Sequence, residues 1–114
     1  MTKYKNAILH DEYEIQELKA DREFAMLYLK EAMAALNDPN ERGAGLLAIR
    51  SIAQAYGGLT EIAKVAGLSR ESLYRSLSPQ GNPTLRTLAA VLNALGMQLS
   101  AEPQAAHEQS VVSA

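Results

Sequence analysis

The stretch from Gly58 to Leu77 constrains the fold more than any other part of the chain, because it spells two short helices separated by one tight turn. Ile62, Ala63 and Ala66 recur at helical spacing, Gly67 can adopt the left-handed conformation that ends a helix, and Leu68 follows as the apolar plug of the turn. Ser69 then opens a second helix, since its hydroxyl can accept from the free amides of the first turn, and Glu71 sits where the helix dipole favours an anion. Leu73 and Leu77 lie one turn apart on the face that must be buried, and the small Ala63 lets the two helices cross closely. Arg70, Glu71, Tyr74 and Arg75 are left on the outer face. An ordinary helical hairpin can show any one of these signals. Their joint spacing points to a helix-turn-helix, whose second helix would enter the major groove of DNA.

The elements around this motif follow from helix punctuation. Asp21 caps a helix with Glu23 in its first turn, and the pattern runs to Leu36. Phe24, Ala25, Met26, Tyr28, Leu29, Ala32, Met33, Ala35 and Leu36 sweep an apolar arc of roughly 200°, wider than one supporting surface covers. Such a helix is either buried in mid-domain or offers its second face to a partner. Asp38, Pro39 and Glu41 predict a capping box for the next helix, which runs through Leu46, Ile49, Ile52, Ala53 and Tyr56 to Gly57-Gly58. Gly43 and Gly45 mark its start as frayed or closely packed. Beyond Leu77, Ser78-Pro-Gln-Gly-Asn-Pro-Thr84 is a loop, and Thr84 caps a last helix whose leucines at 85, 88, 92 and 95 trace one stripe closed by Gly96. Met97-Gln-Leu-Ser100 alternates apolar and polar, as a short strand or an extended cover does. The expected architecture is all-α: an N-terminal arm over residues 1–20, a helix-turn-helix domain over 21–100 with its motif at 59–77, and a flexible polar tail over 101–114.

Composition narrows the function classes. The chain has no cysteine, which removes disulfides and thiolate metal sites. His10 stands beside Asp11 and Glu12, but no second histidine follows until position 107, so a solvated side chain is the expectation and no metal or other cofactor is called for. No nucleophile–base constellation and no phosphate-binding glycine loop is present, which argues against an enzyme. Apolar runs are short and interrupted by charge, so a cytoplasmic protein without membrane association is expected. The net charge of −2 conceals a segregation. Nine carboxylates, at 11, 12, 14, 17, 21, 23, 31, 38 and 41, occupy the first 41 positions. Between residues 60 and 86, Glu61 and Glu71 face Lys64, Arg70, Arg75 and Arg86, so the motif is locally basic, as a surface gripping phosphates must be.

The run Gly67-Leu-Ser-Arg-Glu-Ser-Leu-Tyr-Arg-Ser-Leu-Ser-Pro-Gln-Gly-Asn-Pro-Thr84, together with Leu-Asn-Ala-Leu-Gly-Met-Gln-Leu over 92–99, resembles the addiction-module antidote family of HigA-like antitoxins. The resemblance spans about residues 20 to 100, and the Ser-Pro-x-Gly-Asn-Pro loop is its most specific part. It implies a five-helix-type, lambda-repressor-like domain, a small RelE/ParE-like toxin as partner, and autorepression of its operon as a homodimer on operator DNA. Lambda-type repressors usually place a phosphate-holding glutamine at the start of the first motif helix. Leu59 and Thr60 stand there in this sequence, and Thr60 is the substitute.

The resulting expectations are specific. Ser69, Arg70, Glu71, Tyr74 and Arg75 are candidates for base contacts, and Thr60, Lys64, Asn82, Thr84 and Arg86 for phosphate contacts. For Tyr74, a partly buried ring over Leu77 is an equal alternative. Tyr13, Phe24, Tyr28 and Met33 are candidate anchors for a basic toxin, rimmed by Asp11, Glu12, Glu14 and Glu17. The last helix with Met97 to Leu99 is a candidate dimer surface, since one short reading helix needs a symmetric second to gain useful specificity. Two alternatives stay open: a stand-alone phage-type repressor, and a protein-interaction module built on the same hairpin.

Overall fold

The computed structural model describes residues 12–104, so Asp11 and His10 of the acidic arm and residues 105–114 of the expected tail lie outside the described residues. Six helical segments follow one another, and no strand forms among the described residues. They are α1 (12–20), α2 (Arg22–Ala35), α3 (Arg42–Ala55), α4 (Gly58–Ala66), α5 (Arg70–Ser76) and α6 (Leu85–Ala94). All-α is therefore the class the chain adopts.

The core is one cluster to which all six contribute: Leu18 from α1, Leu29 from α2, Leu46, Ile49 and Ile52 from α3, Ile62 and Ala63 from α4, Leu73 from α5, and Val91 from α6, with Leu77 and Leu95 just past the helix ends. The arm is thus part of the fold from residue 12 onward. Leu18 is completely buried, and its carbonyl accepts from the Tyr56 hydroxyl at 2.6 Å. Glu14 is tied in as well, accepting from the Tyr28 hydroxyl.

Helix α2 begins where its cap predicts, with Asp21 Oδ1 accepting from the Phe24 amide at 3.0 Å. Of its wide apolar arc only Ala25, Leu29 and Ala32 are buried. The expected capping box of α3 does not form. Asp38 Oδ1 instead accepts from the Asn40 amide at 2.9 Å, an Asx turn that closes a separate turn over 38–41, and α3 starts at Arg42 with no side-chain cap. The short polar side chain prefers its nearest amide, and the glycines at 43 and 45 give no propensity for an earlier start. Gly45 is where α3 crosses α2: a Cβ there would stand 2.8 Å from the Ala32 carbonyl oxygen, so close packing explains the glycine.

Two of the sequence's helix stops are Schellman motifs. At the motif turn, Gly67 (φ 73°) donates to Lys64 O and Leu68 to Ala63 O; after α6, Gly96 (φ 77°) donates to Asn93 O and Met97 to Leu92 O. Met97 is half-buried against the core while Gln98, Leu99 and Ser100 are exposed, so the alternating segment after Gly96 forms no strand and covers the core at Met97 alone. The leucine stripe of α6 is absorbed by the chain's own core at Leu92 and Leu95 and partly at Leu88. Leu85 is the exception at 72% exposed, and the buried residue of that first turn of α6 is Thr87. That leaves little of the stripe for the dimer surface expected from it.

Candidate nucleic-acid interface

The interface is built by the way α4 holds α5. The turn between them is fixed by the Gly67 motif, and α5 is started by Ser69, whose hydroxyl oxygen accepts from the Ser72 amide at 3.1 Å and donates to Ser72 Oγ at 3.0 Å. Leu73 and the following Leu77 are completely buried, which fixes the rotation of α5 about its axis. At 100° per residue, that rotation directs Arg75 and Glu71 away from the core and puts Tyr74 on the flank. Arg70, Glu71, Tyr74 and Arg75 are all exposed.

The fates of the chain's six arginines sort the cations of this surface. Three close helix C-termini from outside: Arg42 Nε donates to Leu36 O at 2.9 Å beyond α2, Arg22 Nη2 to Leu95 O at 2.9 Å beyond α6, and Arg86 Nε to Val65 O at 3.2 Å at the end of α4. Each places a cation on the negative end of a helix dipole. Arg50 of α3 lies with its Cζ 4.2 Å from the centre of the Tyr74 ring. Only Arg70 and Arg75 have neither a hydrogen bond nor an ion pair among the described residues, and both stand on α5. The two guanidinium groups of α5 are therefore without partners among the described residues, and a guanidinium fork suits bidentate acceptors.

The other expected contacts divide. Thr60 is exposed in the first turn of α4, and Asn82 is exposed in the loop after α5. Lys64 is paired with Glu61 at 3.4 Å, an exposed i,i+3 contact. Thr84 serves first as the cap of α6, accepting from the Thr87 amide at 3.2 Å, and Ser69 is committed to capping α5. Arg86 lies over the turn, with its guanidinium where a Cβ on Gly67 would meet Nη1 at 2.8 Å. Tyr74 is 43% exposed and packs its face on Arg50, a neighbour that the sequence did not single out. The signal for Arg50 was its place on α3 about 100° from Ile49, beside the core stripe and not opposite it.

The loop after α5 is locked onto it. Gly81 donates to Ser78 O at 2.7 Å, and a Cβ on Gly81 would stand 2.1 Å from Ser76 O. Pro79 packs on α3, where a Cβ on Gly43 would approach its own Cβ to 3.2 Å. The Ser-Pro-x-Gly-Asn-Pro sequence is thus a close-packed splint between the C-terminal end of α5, α3 and the cap of α6.

A model of the family described as "Probable addiction module antidote protein" matches residues 3–103. The chain belongs to this family. A protein of Haemophilus influenzae, strain Rd, known only as an uncharacterized protein, is 35% identical over 91 residues, which cover 80% of this chain and 89% of that one. No solved structure matches. Membership places the chain on the antidote side of an addiction module.

The candidate toxin anchors stand on α1 and α2, and the carboxylates Glu12 and Glu14 of their rim line a cavity shared with Arg50 and Tyr74. Tyr13 is 65% exposed and Phe24 39%, whereas Tyr28 and Met33 are partly buried against the core. Phe24 and Tyr28 form a tilted ring pair with centroids 5.9 Å apart. Leu27, absent from the sequence-derived arc, is 61% exposed on the outer side of α2, with Glu23 and Glu31 one turn away on either side. Glu12 and Glu17 are exposed, while Glu14 is drawn into the bond with Tyr28. Among the described residues no three His, Cys, Asp or Glu side chains come together as a metal site, and no helix is long and apolar enough to cross a membrane.

Proposed function

We propose that the chain is the antitoxin of a type II toxin–antitoxin module: it neutralises a small basic toxin of the RelE/ParE-like kind and, as a homodimer, represses its own operon through a lambda-repressor-like helix-turn-helix. The antidote half of this reading rests on the family match over residues 3–103. The DNA half is carried by one observation: α5 presents two exposed arginines without partners among the described residues, Arg75 on the side away from Leu73 and Arg70 at its first position, on the flank nearer to it. A helix locked by a Schellman turn, an N-cap and two buried leucines has little other use for two exposed guanidinium groups spaced five residues apart. Arg70, Glu71 and Arg75 read bases in this proposal, while Thr60, Lys64, Asn82 and Arg86 meet phosphates and Thr84 and Ser69 aim the helix ends.

The toxin surface is the acidic outer side of α1 and α2, with Tyr13, Phe24 and Leu27 as anchors and Glu12, Glu17, Glu23 and Glu31 around them. Opposite charge speeds the encounter with a basic protein, and desolvated aromatic and aliphatic side chains supply the affinity. Two experiments test the two halves separately. Coexpression with a small basic protein encoded beside the gene should restore growth that the basic protein alone arrests. Selection of duplexes from a random pool should return an inverted repeat with half-sites about one helical turn apart. Failure of rescue ends the antitoxin reading, and a pool without consensus ends the DNA reading.

A further inference from the structure

Arg50 makes a closed circuit with the reading helix. Its Cζ sits 4.2 Å above the Tyr74 ring, and its Nη1 is 3.5 Å from Ser78 Oγ, at the outer limit of a hydrogen bond. Ser78 Oγ in turn donates to the carbonyl of Tyr74 at 2.9 Å. One guanidinium from α3 thus holds residue 74 by its side chain directly and by its backbone through one hydroxyl. Arg50 is half-buried, and although Glu12 and Glu14 of α1 line the same cavity as Arg50 and Tyr74, no carboxylate among the described residues comes within ion-pair distance of it. A partly desolvated cation whose main neighbour is an aromatic face is held by that face.

The placement matters because α5 has seven residues. So short a helix has little stiffness of its own, and its orientation is set by what grips it. Leu73 and Leu77 set the rotation of α5 from the inner side and Gly81 holds its C-terminal end, while the contact on the flank toward α3 is that of Tyr74 with Arg50. Tyr74 is on that flank, immediately before Arg75. A roll of α5 would move the tip of Arg75 across a base edge, where bidentate hydrogen bonding is sensitive to position.

We propose that Arg50 is a positioning residue for DNA sequence reading: by stacking on Tyr74 it braces the flank of α5 whose rotation the buried leucines set, and so aims Arg75, without touching DNA. This rests on the DNA half of the function proposed above.

The test uses the full chain, a duplex selected from a random pool, and a scrambled duplex of the same length at the same salt. Arg50→Met should lower the ratio of selected to scrambled affinity by about threefold to tenfold, the range expected for loss of a partly desolvated cation–π contact. Scrambled affinity should change little. In a Tyr74→Leu background Arg50→Met should have no further effect on the ratio, and in a Tyr74→Phe background, which keeps the ring, it should retain its full effect. Arg22→Ala, which uncaps α6 away from the reading helix, should lower the melting temperature and leave the ratio unchanged, so that loss of stability alone is separated from loss of aim. If Arg50→Met does not fold, Arg50→Gln takes its place in the same backgrounds, since a neutral amide keeps a polar side chain but makes no cation–π contact. An unchanged ratio in the folded Arg50 variant, or an equal effect in the Tyr74→Leu and wild-type backgrounds, overturns the proposal while the DNA reading stands. A wild-type chain that does not discriminate between the duplexes removes both.

Discussion

Replacing Gly81 with alanine should damage the fold more than replacing any glycine that merely has an unusual backbone angle. The added Cβ would stand 2.1 Å from the Ser76 carbonyl oxygen, 2.5 Å from its carbon and 2.6 Å from the Arg75 oxygen. All three are backbone atoms at the end of α5, so no rotamer change relieves the overlap. The loop must lift from the helix, and the Gly81 bond to Ser78 O at 2.7 Å and the packing of Pro79 on α3 go with it. Overpacking of this kind costs about 1 to 3 kcal/mol when side chains can yield, and rigid neighbours put it at the upper end. Against a total stability of about 5 to 15 kcal/mol, a loss of about 3 kcal/mol should lower the melting temperature by on the order of 10 to 20 °C. Gly58→Ala supplies the control. Gly58 has φ 83° but nothing within 4 Å of its would-be Cβ, so alanine there incurs only the left-handed strain of about 1 to 2 kcal/mol. Thermal unfolding followed by circular dichroism decides between them. A Gly81→Ala variant that melts at or above the temperature of Gly58→Ala would refute the steric reasoning.

Three further outcomes follow from single contacts. Ser69→Ala removes the cap of α5 and should cost about 1 kcal/mol in stability by thermal or urea unfolding, with a larger proportional loss of DNA binding because the helix it starts is the reading helix. Glu61→Gln frees Lys64 from its exposed pair; stability should change by less than about 0.5 kcal/mol, while affinity for scrambled DNA rises and its salt slope steepens in an anisotropy titration. Leu27→Asp should leave melting and DNA binding unchanged and weaken toxin neutralisation in a growth-rescue assay, since the side chain is 61% exposed and has no place in the core.

The motif was legible because its signals are local. A glycine that must take φ 73°, a serine that must cap and leucines that must be buried are decided within one or two turns, and Gly67, Ser69, Leu73 and Leu77 all do what their spacing implies. Asp21, Thr84 and Gly96 were legible for the same reason. Competing local bonds and long-range neighbours were not. Asp38 had two amides within reach and took the nearer, which moved the start of α3 to Arg42. Arg86 has the charge of a phosphate ligand, yet its Nε caps a helix 21 positions earlier in the chain, a partner that no periodicity reveals. Arg50 and Tyr74 are 24 positions apart in the chain and meet only through the tertiary fold. Leu85 continues the spacing of its stripe and still faces out, while the buried residue of its turn is Thr87, a polar side chain that an apolar stripe does not pick out. The arm's attachment is long-range too: Leu18, buried in the core with its carbonyl bonded to the Tyr56 hydroxyl, ties the described part of the arm to the domain.

The central claim, that α5 reads DNA through its two free arginines, is tested most directly by binding of the wild type, Arg70→Ala and Arg75→Ala to the selected duplex and to its single-base-pair variants. A bidentate arginine–guanine contact predicts a loss of about 1 to 3 kcal/mol for the alanine variant on the selected site, and indifference of that variant to the identity of one base pair in each half-site. Unchanged affinity and unchanged base preference in both variants would take α5 out of the groove.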